Sequence, residues 1–330
     1  MNDPNQAEYM LTIEDIYDAR RLITPYVTRT PLFPNTTLSE QLGAQVFLKL
    51  ELFQKTGSFK PRGAFNQILH LDRVQETSHR VVAVSGGNFA QGVAYAGRKL
   101  GVETLICMPD YTPDNYIRAT RSYGAQIDLS PSMQETFEKA YQYQREGWHF
   151  LHPFDSPYQM AGCGTIGLEL LEDLPGMTDV FISIGGGGLI GGNIVALKAL
   201  KPSVRIWGVE TEGSDTMGQA LKAGKVVQIT PTSLAKTLGA PYVSEDALRL
   251  AQEHLNRHLV VSDREAFDDL IFLLERAKLN TELATSCTLA AARKVKDSFS
   301  PQDQVVLLMC GGNTSLQNLL EYRSLFRPAS

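Results

Sequence analysis

The sequence has few cysteines and no cysteine pair with metal-binding or redox spacing. Four cysteines occur among 330 residues, scattered at Cys107, Cys163, Cys287 and Cys310. This usage is typical of reduced thiols, and it excludes a disulfide framework and a Cys-x-x-Cys zinc site. Apolar runs long enough to cross a bilayer are lacking, and residues 1–8 do not have the basic and apolar segments of a signal peptide. We therefore expect a cytoplasmic protein with no membrane partner.

Basic clusters, low-complexity tracts and internal repeats are also missing. The chain has 31 lysines and arginines against 36 aspartates and glutamates, for a formal net charge of -5, and its isoelectric point is near 5.7. This balance argues against a nucleic-acid partner or an anionic membrane surface. The hydrophobic content of 43% is ordinary for a globular protein, and 330 residues suffice for two domains. Small molecules are therefore the expected ligands.

Short apolar runs alternate with amphipathic, helix-like segments along most of the chain. The predicted strands are 46–51, 81–84, 104–107, 127–129, 180–184, 204–210 and 305–309. Such alternation is the signature of parallel sheets with helices packed on them. The sequence therefore predicts an α/β fold with two open parallel-sheet domains and a cleft between them. Residues 1–70 and 158–330 are expected to form the large domain, and residues 71–157 a small mobile domain.

One lysine lies in unusual local surroundings. Lys60 follows the strand-like run 46–51 and the turn Thr56-Gly57-Ser58, and it precedes a helix-like run from Ala64. Small and hydroxyl residues let the backbone approach a ligand closely, and Phe59 can cover a planar ring. A desolvated lysine amine held in this way can act as a Schiff-base nucleophile toward an aldehyde cofactor. A lone lysine would be interpreted as a solvated loop residue, so the interpretation depends on three further stretches.

A run of four glycines follows a predicted strand and opens a helix. Its residues are Gly185, Gly186, Gly187 and Gly188, with Leu189 next. Backbone amides at a helix N-terminus form a ready anion site. However, Gly186, Gly188 and Gly191 also satisfy Gly-x-Gly-x-x-Gly, and Glu210 stands where a Rossmann fold places its ribose carboxylate. Spacing alone leaves two alternatives, the phosphate of a small cofactor and the dinucleotide of an NAD-dependent oxidoreductase.

Two other predicted strands end in loops that can bind ligands. Ser85-Gly86-Gly87-Asn88 follows the first small-domain strand, where ligand loops of open α/β sheets belong. Ser85 and the glycine amides can donate to a substrate carboxylate, and Asn88 can donate to a phenolate oxygen. The alternative for this loop is a helix cap with a tight turn. Cys310 follows the last predicted strand, and in isolation it would be interpreted as a buried free cysteine.

Together these stretches resemble the serine/threonine dehydratase family of pyridoxal-phosphate (PLP) enzymes of fold type II. The segment Ser58-Phe59-Lys60-Pro61-Arg62-Gly63-Ala64 is similar to the PLP-lysine motif of that family, and the other stretches follow in the family's order. The resemblance implies that Lys60 binds PLP as a Schiff base beside Phe59, with the cofactor in the interdomain cleft. It also implies that residues 185–189 bind the phosphate and that residues 85–88 bind the substrate. Asn88 is expected to hydrogen-bond to O3′ of the cofactor, and Cys310 to the pyridine N1.

The resemblance implies an ammonia-lyase that converts a β-hydroxy amino acid, such as L-serine or L-threonine, to a 2-oxo acid and ammonia. A neutral thiol at N1 makes the ring a weaker electron sink, which suits prompt loss of a β-leaving group. Serine racemase has a second catalytic serine where this chain has Gly86, so elimination is favoured over racemisation. Racemase-like and β-replacement activities of the same fold remain alternatives. Phe89 replaces a frequent histidine, and residues 153–155 and 233–239 are expected to shape the pocket.

The resemblance carries two further expectations. Some family members bind a cation through a glutamate, so Glu210 and Ser214 are candidate ligands here. Thr216 stands where a carboxylate often completes a divalent site, which disfavours a divalent metal. The family also implies a homodimer, and the short segment after the Cys310 stretch leaves no room for an appended regulatory domain.

Overall fold

The computed structural model describes residues 10–73 and 79–326. The strands in this part of the chain are β1 (Leu32–Pro34), β2 (Gln45–Lys49), β3 (Arg80–Val84), β4 (Glu103–Pro109), β5 (Gln126–Ser130), β6 (His149–Leu151), β7 (Asp179–Ser183), β8 (Arg205–Thr211), β9 (Arg257–Val261) and β10 (Gln304–Leu308). They form two separate sheets, one of six strands and one of four.

The described α-helices are α1 (Ile13–Ile23), α2 (Thr36–Leu42), α3 (Lys60–Arg73), α4 (Asn88–Leu100), α5 (Asp114–Ser122), α6 (Met133–Arg145), α7 (Pro157–Asp173), α8 (Gly188–Leu200), α9 (Thr216–Ala223), α10 (Glu245–His254), α11 (Asp263–Phe272), α12 (Leu283–Lys294) and α13 (Leu316–Leu325). Shorter helical turns lie at Glu51–Phe53, Lys55–Gly57, Lys236–Leu238, Leu273–Ala277 and Lys296–Ser298. Within the described residues, no helix is both long and apolar enough to span a membrane.

The six-stranded sheet has the order β1-β2-β10-β7-β8-β9. Every neighbouring pair is parallel except β1 and β2, so the predicted parallel sheet carries one antiparallel edge strand. Alternate residues of β10 point to opposite faces: Val305 and Leu307 join one hydrophobic core, and Val306 and Leu308 join the other. Helices cover both faces, which explains why the central strands are apolar without interruption.

The four-stranded sheet has the order β5-β4-β3-β6 and is parallel throughout. Its chain path runs from β3 to β5 in one direction and then returns to place β6 on the other side of β3. The six-stranded sheet has a similar reversal between β7 and β10. Ligands of open α/β sheets bind at such reversals, beyond the carboxyl ends of the strands. The two sheets confirm the predicted fold class.

Strands of the small sheet lie within residues 80–151, and strands of the large sheet lie on both sides of that segment. The predicted domain limits at residues 70/71 and 157/158 and the mobility of the small domain stay a prediction, and α3 continues across the first limit. Residues 1–9, 74–78 and 327–330, which belong to the predicted domains, lie outside the described part of the chain.

A buried ionic network fixes the start of α3. Arg62 donates through Nε and Nη2 to the Glu51 carboxylate, at 2.9 and 2.8 Å, and through Nη1 to Glu169 Oε1 at 2.7 Å. Lys49 Nζ donates to the second Glu169 oxygen at 2.5 Å. The side chains of Lys49, Glu51 and Arg62 are at most 1% exposed, so each charge depends on its partners. The network joins β2, α3 and α7 directly beside the candidate lysine.

Candidate active site

Lys60 is the first residue of α3, four residues earlier than the helix start expected at Ala64. Pro61 explains the early start, because proline is well tolerated in the first turn, where its missing N–H is not needed. The preceding turn is tight: Thr56 has a φ of 63° and Gly57 a φ of 73°. Behind the lysine, a Cβ at Gly92 of α4 would lie 3.2 Å from the Lys60 backbone. Lys60 therefore lies at a helix N-terminus, between the tight turn that precedes it and the backbone of α4.

The Lys60 amine is enclosed between two aromatic rings and one carbonyl. Its Nζ lies 5.1 Å from the centre of the Phe59 ring and 5.3 Å from that of Phe89. It donates a hydrogen bond to the Pro153 carbonyl oxygen at 2.8 Å. Burial lowers the pKa of this amine to about 8, because desolvation disfavours the ammonium form. A substantial fraction of the amine is thus neutral, and nucleophilic, near physiological pH.

The glycine loop follows β7 and ends at the N-terminus of α8. Gly187 caps the helix with a φ of 96°, a conformation that residues with a side chain rarely adopt. Gly186 is needed for a different reason, since a Cβ there would lie 2.1 Å from Cγ of Phe154. The first amides of a helix lack intrahelical partners, so this loop presents donors and the positive end of a dipole. Residues 185–189 can accordingly hold a phosphate.

Cys310 lies two residues beyond β10, beside the glycine loop on the neighbouring strand. Its Sγ lies 3.4 Å from Ser183 Oγ and 3.1 Å from Thr285 Oγ1. Burial raises the pKa of this thiol to about 11, and the Glu282 carboxylate adds to the rise. The thiol is therefore neutral at physiological pH, as expected for a group that contacts a ring nitrogen without holding it protonated.

The Ser85–Asn88 loop lies at the carboxyl end of β3 and opens α4. Ser85 Oγ accepts a hydrogen bond from the Gly87 amide at 3.2 Å, which closes the turn. Asn88 donates through Nδ2 to both oxygens of Glu282, at 2.9 and 3.1 Å, and its Oδ1 accepts from Asn313 at 2.7 Å. The carboxylate can only accept, so it fixes the orientation of the Asn88 amide. A phenolate bound by Asn88 would share that amide with Glu282.

Glu282 and its partners were not predicted from the sequence. The Glu282 carboxylate also accepts from the Asn313 amide at 3.0 Å and from Thr237 Oγ1 at 2.7 Å. These partners come from three distant parts of the chain, and 194 residues separate Asn88 from Glu282. The only local signal was that Asn313 belongs to the stretch after Cys310. The network ties the Ser85–Asn88 loop of the small sheet to the large sheet.

The loop of residues 152–155, which follows β6, borders Lys60 on its remaining side. The sequence analysis predicted only that residues 153–155 help to shape the pocket. Pro153 accepts the Lys60 hydrogen bond, and the Phe154 ring packs on Gly186. Tyr242, from the segment before α10, reaches this loop with its hydroxyl 3.1 Å from His152 Nε2. Tyr242 is thus a second site residue that sequence reasoning missed.

The structure shows the surroundings of Glu210 and Ser214, the two candidate cation ligands. Both Glu210 oxygens are occupied, because they accept from the amides of Met217 and Gly218 at 2.9 Å and contact His258 Nε2 at 2.6 Å. This fully buried carboxylate anchors α9 to β8, and its role as a cation ligand stays a prediction. Ser214 is also buried, and its hydroxyl has no hydrogen-bond partner among the described residues. Within the described residues, no group of three or more histidine, cysteine or acidic side chains could hold a metal ion.

Comparison with known proteins decides between the remaining interpretations. Residues 23–311 match the model of a family described as pyridoxal-phosphate dependent enzyme. The chain belongs to this family.

Similar proteins extend the likeness over nearly the whole chain. An L-threonine ammonia-lyase from Thermotoga maritima is 40% identical over 308 residues, which are 92% of this chain and 76% of the relative. A threonine deaminase from T.th. is 35% identical with a TM-score of 0.86, over 92% of this chain and 99% of that one. Maize serine racemase is 32% identical with a TM-score of 0.89, over 96% and 98% of the two chains. These findings confirm the predicted resemblance and the PLP cofactor.

The residues at the carboxyl edge of the large sheet fit PLP. The cofactor carries an aldehyde, a phosphate and a ring nitrogen, which need an amine, an anion site and a neutral partner. Lys60 after β2, the glycine loop after β7 and Cys310 after β10 supply these groups from the neighbouring strands β2, β10 and β7. The dinucleotide alternative lacks such a match, because Glu210 is buried among its own partners.

Proposed function

We propose that this PLP-dependent enzyme is an ammonia-lyase that acts on a β-hydroxy amino acid, such as L-serine or L-threonine. It eliminates water, and the released enamine is hydrolysed by water to a 2-oxo acid and ammonia. The observation that carries the proposal is the Lys60 amine, whose pKa is lowered to about 8. It lies in an enclosure formed by Phe59, Phe89 and Pro153, on the sheet edge that also bears the glycine loop.

Lys60 has two roles in this proposal. Its neutral amine would hold the cofactor through the aldehyde, and once substrate had displaced it, the freed amine would take the proton from the substrate Cα. When bound, PLP withdraws electrons from the Cα bond that breaks. The neutral Cys310 thiol would contact the ring nitrogen without protonating it, so the ring would be a weaker electron sink, which suits prompt loss of the β-hydroxyl.

The Ser85–Asn88 loop binds the substrate carboxylate in this proposal. Its glycine amides and the Ser85 hydroxyl stand at the N-terminus of α4, where an anion is favoured. Asn88 donates to the cofactor O3′ from an amide that Glu282 already orients. These contacts hold the Cα–H bond toward Lys60, so that proton removal needs little reorganisation.

We also propose that the protein acts in the cytoplasm as a homodimer. All four cysteines are free thiols, which supports a reducing compartment. Helix α13 exposes Leu316 and Leu320, at 73% and 53% of their full accessible surface, and such leucines favour a protein contact.

The test of the proposed function compares the unmodified protein with Lys60→Ala. The purified chain should be yellow, and borohydride reduction followed by peptide mapping should place the cofactor on Lys60. With L-serine or L-threonine it should release equal amounts of 2-oxo acid and ammonia, measured by coupled assays, and Lys60→Ala should release neither. A colourless chain that takes no PLP, or a Lys60→Ala variant with full turnover, would overturn the proposal.

A further inference from the structure

We propose that Tyr242 is a positioning residue for Lys60, acting through the 152–155 loop. Tyr242 does not touch Lys60, but its hydroxyl contacts two residues that flank the carbonyl to which Lys60 is bound. The inference rests on the proposed role of Lys60, and it identifies the side chain that keeps the free amine oriented.

A closed ring of hydrogen bonds joins Tyr242 to this loop. His152 Nδ1 accepts from the Asp155 amide at 2.8 Å, so the proton of the neutral imidazole is on Nε2. Nε2–H then donates to the Tyr242 oxygen over 3.1 Å, and the Tyr242 hydroxyl donates to Asp155 Oδ2 over 3.4 Å. Each N–H or O–H group in this ring of hydrogen bonds has one acceptor. The ring therefore holds residues 152–155 in one conformation.

This conformation points the Pro153 carbonyl at the Lys60 amine. Pro153 lies between His152 and Asp155, the two loop residues that Tyr242 contacts, and the Tyr242 ring packs edge-on against Phe154 with centroids 5.1 Å apart. On the opposite side, Gln67 of the Lys60 helix accepts from the His152 amide and donates to its carbonyl. Tyr242 adds hydrogen bonds from the large-sheet side of this clamp, where the Phe154 ring also packs on Gly186. Without its hydroxyl, the His152 and Asp155 side chains lose these bonds, and only packing holds the loop from that side.

The Pro153 bond has a chemical consequence for the freed lysine. An amine released from the cofactor rotates about four side-chain bonds unless an acceptor holds it, and proton transfer needs heavy atoms within hydrogen-bond reach. A fixed carbonyl also stabilises the ammonium form, because a charged donor makes the stronger hydrogen bond. Loss of the Tyr242 hydroxyl should therefore make the Lys60 amine less well oriented and less basic.

The basicity of Lys60 can be measured without interference from its neighbours. The titratable groups that face it are Cys163 of α7, Cys310 and His152. Burial raises the pKa of Cys163 to about 12 and that of Cys310 to about 11. Burial and the Lys60 charge lower the pKa of His152 to about 4. Among these protein groups, only Lys60 titrates between pH 6 and pH 10, and the ionisations of free PLP are the same for every variant.

The experiment follows PLP capture by the full chain after its cofactor has been removed. Only the neutral amine attacks the aldehyde, so the capture rate, measured by visible absorbance, should rise with pH through a midpoint near 8. Tyr242→Phe keeps the aromatic ring and removes the hydroxyl. In this variant the midpoint of the capture rate should fall by roughly half a pH unit, which is the scale of one lost hydrogen bond. With substrate, kcat should fall several-fold while KM changes less than twofold.

The matched control is Tyr141→Phe, a neighbouring tyrosine whose hydroxyl is outside the ring of bonds and whose side chain is 45% exposed. It should leave both the midpoint and kcat unchanged. A Tyr242→Phe variant with an unchanged midpoint and kcat would overturn the inference, as would an equal shift in the control. If Lys60→Ala captured PLP as fast as the unmodified chain, the proposed role of Lys60 would fail instead.

Discussion

Thr112 Oγ1 occupies the space beside Gly86, at 2.7 Å from where a Cβ on that glycine would lie. Thr112 is 7% exposed, and its hydroxyl has no hydrogen-bond partner among the described residues. Thr112 follows β4 and Gly86 follows β3, so two neighbouring strand ends meet at the loop that we propose binds the substrate carboxylate. A side chain at position 86 would therefore have to displace this threonine.

This relationship refines the prediction for reaction specificity. The unmodified enzyme should form 2-oxo acid with little D-amino acid. Gly86→Ser alone should gain little racemisation, because the new side chain collides with Thr112. Adding Thr112→Ala frees that space, and the double variant should produce more D-isomer than either single variant. Chiral chromatography of the amino acid left after partial turnover measures this. Abundant D-product from the unmodified chain would assign the second proton to another residue.

The buried amine of Lys60 should cost stability in the cofactor-free protein. Its pKa is about 8 when the chain is folded, against an ordinary lysine value of 10.5, so the unfolded chain binds more protons between these values. The free energy of unfolding should thus rise as the pH increases from about 8 to 10.5. Below pH 8 the full destabilisation by the buried ammonium should be present. Lys60→Met should stabilise the cofactor-free chain at pH 7 by about 2–3 kcal/mol, while abolishing turnover. Urea unfolding at pH 7 and pH 10 tests this, and a variant no more stable at pH 7 would contradict it.

Replacement of Cys310 should distinguish a cofactor contact from simple packing. Cys310→Asp should favour a protonated ring nitrogen, stabilise the carbanion and slow elimination by an order of magnitude or more. Cys310→Ser offers a neutral hydroxyl and should change kcat by only a few-fold. Steady-state rates and absorbance spectra of both variants provide the measurement. An aspartate variant as fast as the unmodified enzyme would show that Cys310 does not face the ring nitrogen.

The ionic network beside Lys60 should contribute strongly to stability. Arg62→Met removes the cation that Glu51 and Glu169 share, leaving buried carboxylates without it, and should cost about 3–5 kcal/mol in the free energy of unfolding. The surface pair Arg264 and Asp268, whose side chains are 49% and 58% exposed, provides the control. Arg264→Met should cost less than about 1 kcal/mol. Similar losses for the two variants, measured by denaturant unfolding, would contradict the assigned role.

The sequence predicted those site elements that follow directly from a strand end. Lys60, the glycine loop and Cys310 each follow a predicted apolar strand, and parallel strands bring such ends to one sheet edge. Three strands were missed. β1 and β6 have only three residues each, and β9 begins with the polar pair Arg257 and His258, so none of them gives a clear alternating pattern.

The contributions of Glu282 and Tyr242 could not be predicted, because they depend on long-range loop placement. Glu282 precedes a helix without any capping bond, and nothing in its neighbours indicates a polar network. For Glu210, the sequence pattern instead suggested a contact with a ligand. Its spacing from the glycine run favoured a ligand contact, but its carboxylate binds helix amides and a histidine. Spacing along the chain does not reveal which groups form hydrogen bonds with a side chain in the folded protein.

The pairing of β2 with β10 has a consequence for protein synthesis. The strand that leads to Lys60 has β10 as its parallel neighbour, with Val46 opposite Val305. During translation, β2 emerges early and must wait for β10, while β3 to β6 can pair with one another as soon as they leave the ribosome. Nascent chains that end before residue 304 should therefore contain a folded small sheet and an exposed, apolar β2. Until β10 appears, the apolar residues of β2 are exposed to aggregation.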